Sequence, residues 1–167
     1  MARPLRYLGQ ALAYILFAAA IGYFSTAPVY KHLESDQALV KLSFRHAAQR
    51  KGACRERTDE ELAKLQTNMR VRKVCPRERA DVVVELEVDG KPMVQAVLPP
   101  SGITHDSAAT IYRRFSIPAG THRFTARLKD AVEGDFGYTA ERTFTLEPGR
   151  VLVIDFNATA GGFIFRG

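Results

Sequence analysis

The sequence predicts a mainly β protein: a single N-terminal transmembrane helix followed by an antiparallel β-sandwich with one short inserted helix. Three observations predict it. Residues 7–30, YLGQALAYILFAAAIGYFSTAPVY, contain no charged side chain. From residue 40 onward, short segments alternate apolar and polar residues, the period of a strand with one buried face. Turn residues separate these segments at close intervals, the pattern of a sandwich or barrel. With 167 residues, 46% of them hydrophobic, the chain has room for one domain plus a small appendage and is not a disordered composition.

The boundaries follow from the charges. Residues 1–6 form a short basic tail carrying Arg3 and Arg6, 7–30 the transmembrane anchor, and 31–37 a juxtamembrane linker. Residues 38–167 form the sandwich, with a helical insertion at 54–75. A helix over 7–30 spans roughly 36 Å at ~1.5 Å per residue, enough for a hydrocarbon core of about 30 Å. Tyr7 at one end, and Tyr23 and Tyr30 near the other, fall where aromatic rings favour the interface. Ser25-Thr26-Ala27 has the small-x-small form of a signal-peptide cleavage site. Pro28 would follow that cut and is poorly tolerated there, so the segment reads as an uncleaved signal anchor.

A count of Lys and Arg beyond the helix (Lys31, Lys41, Arg45, Arg50) would by itself favour a cytoplasmic domain. The acid-free tail abutting the helix resembles the n-region of a signal anchor, and large domains translocate with little regard for charge. The expected topology is therefore N-terminus cytoplasmic, domain periplasmic or otherwise extracytoplasmic. Ala18, Gly22 and Thr26 recur every fourth residue and form a small-residue face for helix packing against another subunit or a second copy.

An oxidising compartment lets Cys54 and Cys75, the only two cysteines, pair as a disulfide. A redox motif would space them as Cys-x-x-Cys, and no histidine lies between them to complete a metal site. Within the loop, Thr58 and Glu61 have capping-box spacing, and Asp59, Glu60 and Glu61 suit a helix's first turn. Leu62, Leu65 and Met69 then share one face, which predicts an amphipathic helix laid against the domain.

The strands are justified in order. VKLSFRH (40–46) places Val40, Leu42, Phe44 and His46 on one face, and VVVELEV (82–88) turns Val82, Val84, Leu86 and Val88 inward and Glu85 and Glu87 outward. Asp89-Gly90 signals a type I′ hairpin into KPMVQAVL, which Pro92 marks as an edge strand. TIYRRFSI (110–117) leads through Pro118-Ala119-Gly120 to THRFTARLK (121–129). YTAERTFTL (138–146) ends at Glu147-Pro148-Gly149, a type II turn signal, before RVLVIDF (150–156) and a final GGFIFR. IPAGTHRFTARL and LEPGRVLVIDF resemble hairpins of extracytoplasmic immunoglobulin-like and PEGA-like modules. The resemblance covers about 30 residues and implies a fold class only.

Net charge is +6 but unevenly spread: residues 31–80 hold 13 Lys/Arg against 7 Asp/Glu, and residues 81–167 hold 9 against 11. That distribution disfavours nucleic acid and fits a local patch, Arg70, Arg72, Lys73, Arg77 and Arg79, meeting lipid headgroups or an acidic partner. Gly-x-Ser-x-Gly, phosphate-loop and His-Glu-x-x-His motifs are absent. His46 and His122 face inward, as hydrogen-bonded core histidines do; on neighbouring strands they would meet, and with Met93 would offer a copper or zinc site. His105-Asp106 lies in a breaker-rich loop where it could seat a base. Asp130, Glu133 and Asp135 read as a solvated turn, and Asn157-Ala158-Thr159 is a formal glycosylation sequon. The expected function is a non-catalytic accessory or assembly subunit of a membrane complex, respiratory or of the bacterial envelope, using no cofactor and able to self-associate. The alternatives are an anchored metal-handling or ligand-binding module, and an envelope enzyme built on His105-Asp106.

Overall fold

The computed structural model describes residues 2–27 and 33–167. The expected roles of Pro28, Tyr30 and Lys31 fall on residues outside these. The chain divides into two compact units, Met1–Glu34 and Ser35–Gly167.

The first unit is helix α1, Ala2–Thr26. It begins inside the expected tail because Pro4 sits in the first turn, where a backbone N–H would lack an intrahelical partner anyway. Pro4–Thr26 is long and apolar enough to cross a membrane, and none of it is buried by protein. Phe17 and Phe24, 67% and 73% exposed, have no core to enter.

The second unit is a sandwich. All eight expected strands form: β1 (Gln37–His46), β4 (Val82–Val88), β5 (Lys91–Leu98), β6 (Ala109–Pro118), β7 (Gly120–Lys129), β8 (Tyr138–Leu146), β9 (Val151–Asn157) and β10 (Gly162–Arg166). Two short additions, β2 (Arg55–Glu56) and β3 (Lys73–Val74), flank helix α2 (Asp59–Ala63). One sheet runs β10-β9-β1-β6 and the other β5-β4-β7-β8. Alternation decides what lies between them. Ala38, Val40, Leu42 and Phe44 of β1 are buried, as are Val82, Val84, Leu86 and Val88 of β4, Phe124, Ala126 and Leu128 of β7, and Leu152, Ile154 and Phe156 of β9. At roughly 25 cal/mol per Å² of apolar area, this continuous layer is the main stabilising term.

Three features differ from the expectation. First, β1 and β9 pair in parallel while the other sheet pairs are antiparallel. Second, the two presumed hairpins are crossings: β6 and β8 hand the chain to β7 and β9 in the opposite sheet. Proline and glycine specify that the chain reverses, not which strand it then pairs with. These turns bond to the entry of β1, Ala119 N–H donating to Asp36 O (2.7 Å) and Gly149 N–H to Gln37 O (2.8 Å). The expected type II geometry is present at the second, with Gly149 at φ 76° and Arg150 N–H donating to Glu147 O. Third, a bulge shifts the β4–β5 register, so Glu87 faces Pro92 but Leu86 faces Val94. Met93 is the extra residue, and the shift points Val94 rather than Met93 into the core.

Candidate functional site: a disulfide-tied basic excursion

Between β1 and β4 the chain leaves the sandwich as a ribbon. Its neck is backbone bonding: Ala80 N–H donates to Gln49 O and Lys51 N–H to Glu78 O, both 2.8 Å. Further out, Cys54 and Cys75 form the expected disulfide, with Cα atoms 4.1 Å apart. β2 then pairs with β3, Arg55 opposite Val74. The cross-link closes a loop of sequence separation 21, worth about 3 kcal/mol in the chain-entropy model.

Inside the loop the capping box is complete: Glu61 N–H donates to Thr58 Oγ1 (3.3 Å) and Thr58 N–H to Glu61 Oε2 (3.1 Å). Glu61 also receives Arg55, whose guanidinium, with the Thr58 N–H next in weight, lowers the carboxyl below its ordinary pKa. The helix is shorter than its capping signal and apolar spacing predict. It stops at Ala63, and a separate 3-10 turn holds Thr67–Met69. Neither piece has a buried residue, so the segment is not laid against the core. Leu62 and Leu65 are half-covered, whereas Met69 and Val71 are 57% and 58% exposed. Five helical residues are too few to bury a stripe, which explains the difference.

The five predicted contact cations do not share one fate. Arg79 is structural: its Nη1 donates to Ala48 O (2.7 Å) and its Nε to Asp106 O (2.8 Å), half-buried under the neck. It therefore leaves the proposed patch. Arg70 donates to Leu65 O, and Arg72 pairs with Asp59 at 3.2 Å, both on the open surface. Lys73 and Arg77 are exposed. Across residues 50–79 there are ten Lys/Arg and five Asp/Glu, so this excursion carries +5 of the chain's +6.

The histidines are separated. His46 ends β1 opposite Ala109, whereas His122 of β7 bonds Pro118 O, which stands opposite Gln37 at the other end of β1, so they do not meet. His46 Nε2 bonds Asp130 Oδ2 at 2.8 Å beside the Phe156 ring, so Asp130 is a buried partner and not part of a solvated turn. Glu133 and Asp135 are exposed as expected. His122 lies between Asp89 Oδ2 (2.7 Å from Nδ1) and Pro118 O (2.9 Å from Nε2), with both ring nitrogens engaged. Met93 does share a groove of about 310 Å³ with His122, Lys91 and Ser116. Among the described residues no three His, Cys, Asp or Glu side chains gather as a metal site.

His105 adopts φ 49°, and the backbone oxygens of His105 and Asp106 serve as acceptors for Arg79. That loop therefore anchors the neck of the excursion. Asn157 Oδ1 accepts from Thr159 N–H and Oγ1–H, an Asx turn at the end of β9. In α1, Thr26 Oγ1–H donates back to Gly22 O (3.1 Å), satisfying its hydroxyl within the helix, and nothing lies within 4 Å of where a Gly22 Cβ would project.

No protein-family model, curated protein or solved structure matches this chain. Its surfaces are read from its own residues.

Proposed function

We propose that this chain is a non-catalytic, single-pass accessory or assembly subunit of a membrane protein complex. Helix α1 holds it in the bilayer with the N-terminus cytoplasmic, and the sandwich works in an oxidising extracytoplasmic space. The observation that carries this reading is the excursion: thirty residues, covalently tied and capped, with no buried residue in either helical piece and Met69 and Val71 left open. Ordering such a segment costs conformational entropy that its own packing does not offset, whereas a partner surface would. The exposed cations Arg70, Arg72, Lys73 and Arg77 select an acidic protein surface by charge.

The small face at Ala18, Gly22 and Thr26 is consistent with close helix packing in lipid. The disulfide supports export, because such bonds persist outside reducing compartments. Mild detergent extraction at endogenous expression, followed by a native gel, tests the reading. Migration within a larger assembly that R70E/R72E disrupts is expected; migration as a free monomer contradicts it.

A further inference from the structure

The two outer faces of the sandwich differ in how their charges are used. On the β5-β4-β7-β8 sheet, acids and bases neutralise one another: Arg127 reaches Glu87 (2.7 Å) and Glu85 (3.4 Å), and Arg123 reaches Glu141 (3.7 Å). On the β10-β9-β1-β6 sheet, the outward positions carry Lys41 and Arg45 from β1, Arg114 from β6 and Arg166 from β10. The one acid there, Asp155, accepts from the backbone N–H of Phe156 at 2.7 Å.

Register makes the arrangement unfavourable on its own. Lys41 stands directly opposite Arg114, and on the other side Lys41 is beside Val153, which faces Arg166. Three cations thus lie in one row across four strands, with Arg45 further along β1. Like charges directly opposite destabilise a ladder. Among the described residues none of the four has an ion-pair or hydrogen-bond partner.

We propose that this outer face docks on an anionic lipid surface through Lys41, Arg45, Arg114 and Arg166. On the same face lie Ser43, Ser116, a 56% exposed Tyr112 and the aliphatic Leu39, Val151, Val153 and Ile164, of which only Val151 is open, at 37%. A protein partner needs shaped pockets and anchors, whereas laterally mobile headgroups adapt to any cation spacing. Tyr112 suits the headgroup level. Ten residues separate Thr26 from Gln37, so the face belongs to a chain led by a bilayer-length apolar helix. This surface is separate from the excursion, and its failure would leave the partner surface there untouched.

The test is co-flotation of the full chain, held in phosphatidylcholine nanodiscs, with added vesicles containing about 30% phosphatidylglycerol. Binding is expected at low salt, and loss at about 1 M salt, where the Debye length is about 3 Å. K41E/R114E is expected to weaken binding roughly tenfold or more, while K91E/K129E on the other sheet, with the same change in net charge, leaves it unchanged. K41Q/R114Q removes the like-charge pair, so it is expected to keep its fold and also lose affinity. No flotation with anionic vesicles, or equal losses from both reversals, overturns the proposal. Absent flotation together with Lys41 crosslinks to a protein chain assigns the face to an acidic protein instead and equally overturns it.

Discussion

Replacing His46 with Leu tests whether the buried pair holds one end of the sandwich together. The side chains of His46 and Asp130 are only 13% and 11% exposed, and their contact is 2.8 Å. Removing the imidazole leaves the buried Asp130 side chain without its partner, and breaking a buried pair this way costs about 3–5 kcal/mol. The slight exposure of both groups sets the expectation at the lower end, about 3 kcal/mol. With an unfolding entropy near 2 cal/mol/K per residue over roughly 130 residues, the midpoint falls by roughly 10 °C. H46L/D130L removes both polar partners and replaces them with apolar volume, so it is expected within about 1 kcal/mol of the parent. The assay is far-UV circular dichroism melting of the full chain in detergent, with and without micromolar copper or zinc. The reasoning fails if H46L is no worse than the double variant. It also fails if metal raises the parent's midpoint and not that of H46L, since His46 would then be a ligand.

Other outcomes follow from the same geometry. C54S/C75S is expected to lose about 3 kcal/mol, roughly 10 °C, with hydrogen exchange accelerating first in 55–74; an unmoved midpoint would refute the closure argument. Arg79→Met removes two donors and leaves Ala48 O and Asp106 O without them, so a loss of about 2 kcal/mol is expected in the same melt. Asp89 is held below its ordinary pKa by the Arg123 N–H and then by His122. A lowered carboxyl contributes stability above its unfolded value, about 4, and loses it as pH falls through the lower folded value. Acid titrations of the parent should show this component below about pH 4, and Asp89→Asn should lack it.

The strands were legible because one-face burial writes itself as alternation, and Val82, Val84, Leu86 and Val88 are that pattern in four residues. Adjacency was not legible. Pro118-Gly120 and Pro148-Gly149 announce reversals identically whether the chain stays in its sheet or crosses, and the sheet is chosen by long-range packing. The bulge at Met93 was not legible, because it shifts register without a local signal stronger than Pro92. The pairing of His46 with Asp130 joins positions 84 residues apart, beyond any motif. Arg79 reads like its basic neighbours until the carbonyls of Ala48 and Asp106 are seen around it. The disulfide was legible because the chain has two cysteines and an export signal, and the capping box because it is a spacing rule, while the length of α2 was set by the ribbon that confines it. The cationic outer face lay in plain view as Lys41, Arg45 and Arg114, but only the β1–β6 register brings Lys41 opposite Arg114.

The most direct test of the whole is thiol labelling in intact cells with a maleimide of high mass, without reductant. The account predicts a chain that stays in the membrane fraction at full length and gains no mass, because Cys54 and Cys75 are already joined. A chain that gains two labels, or one released from the membrane by cleavage near Ala27, would contradict it.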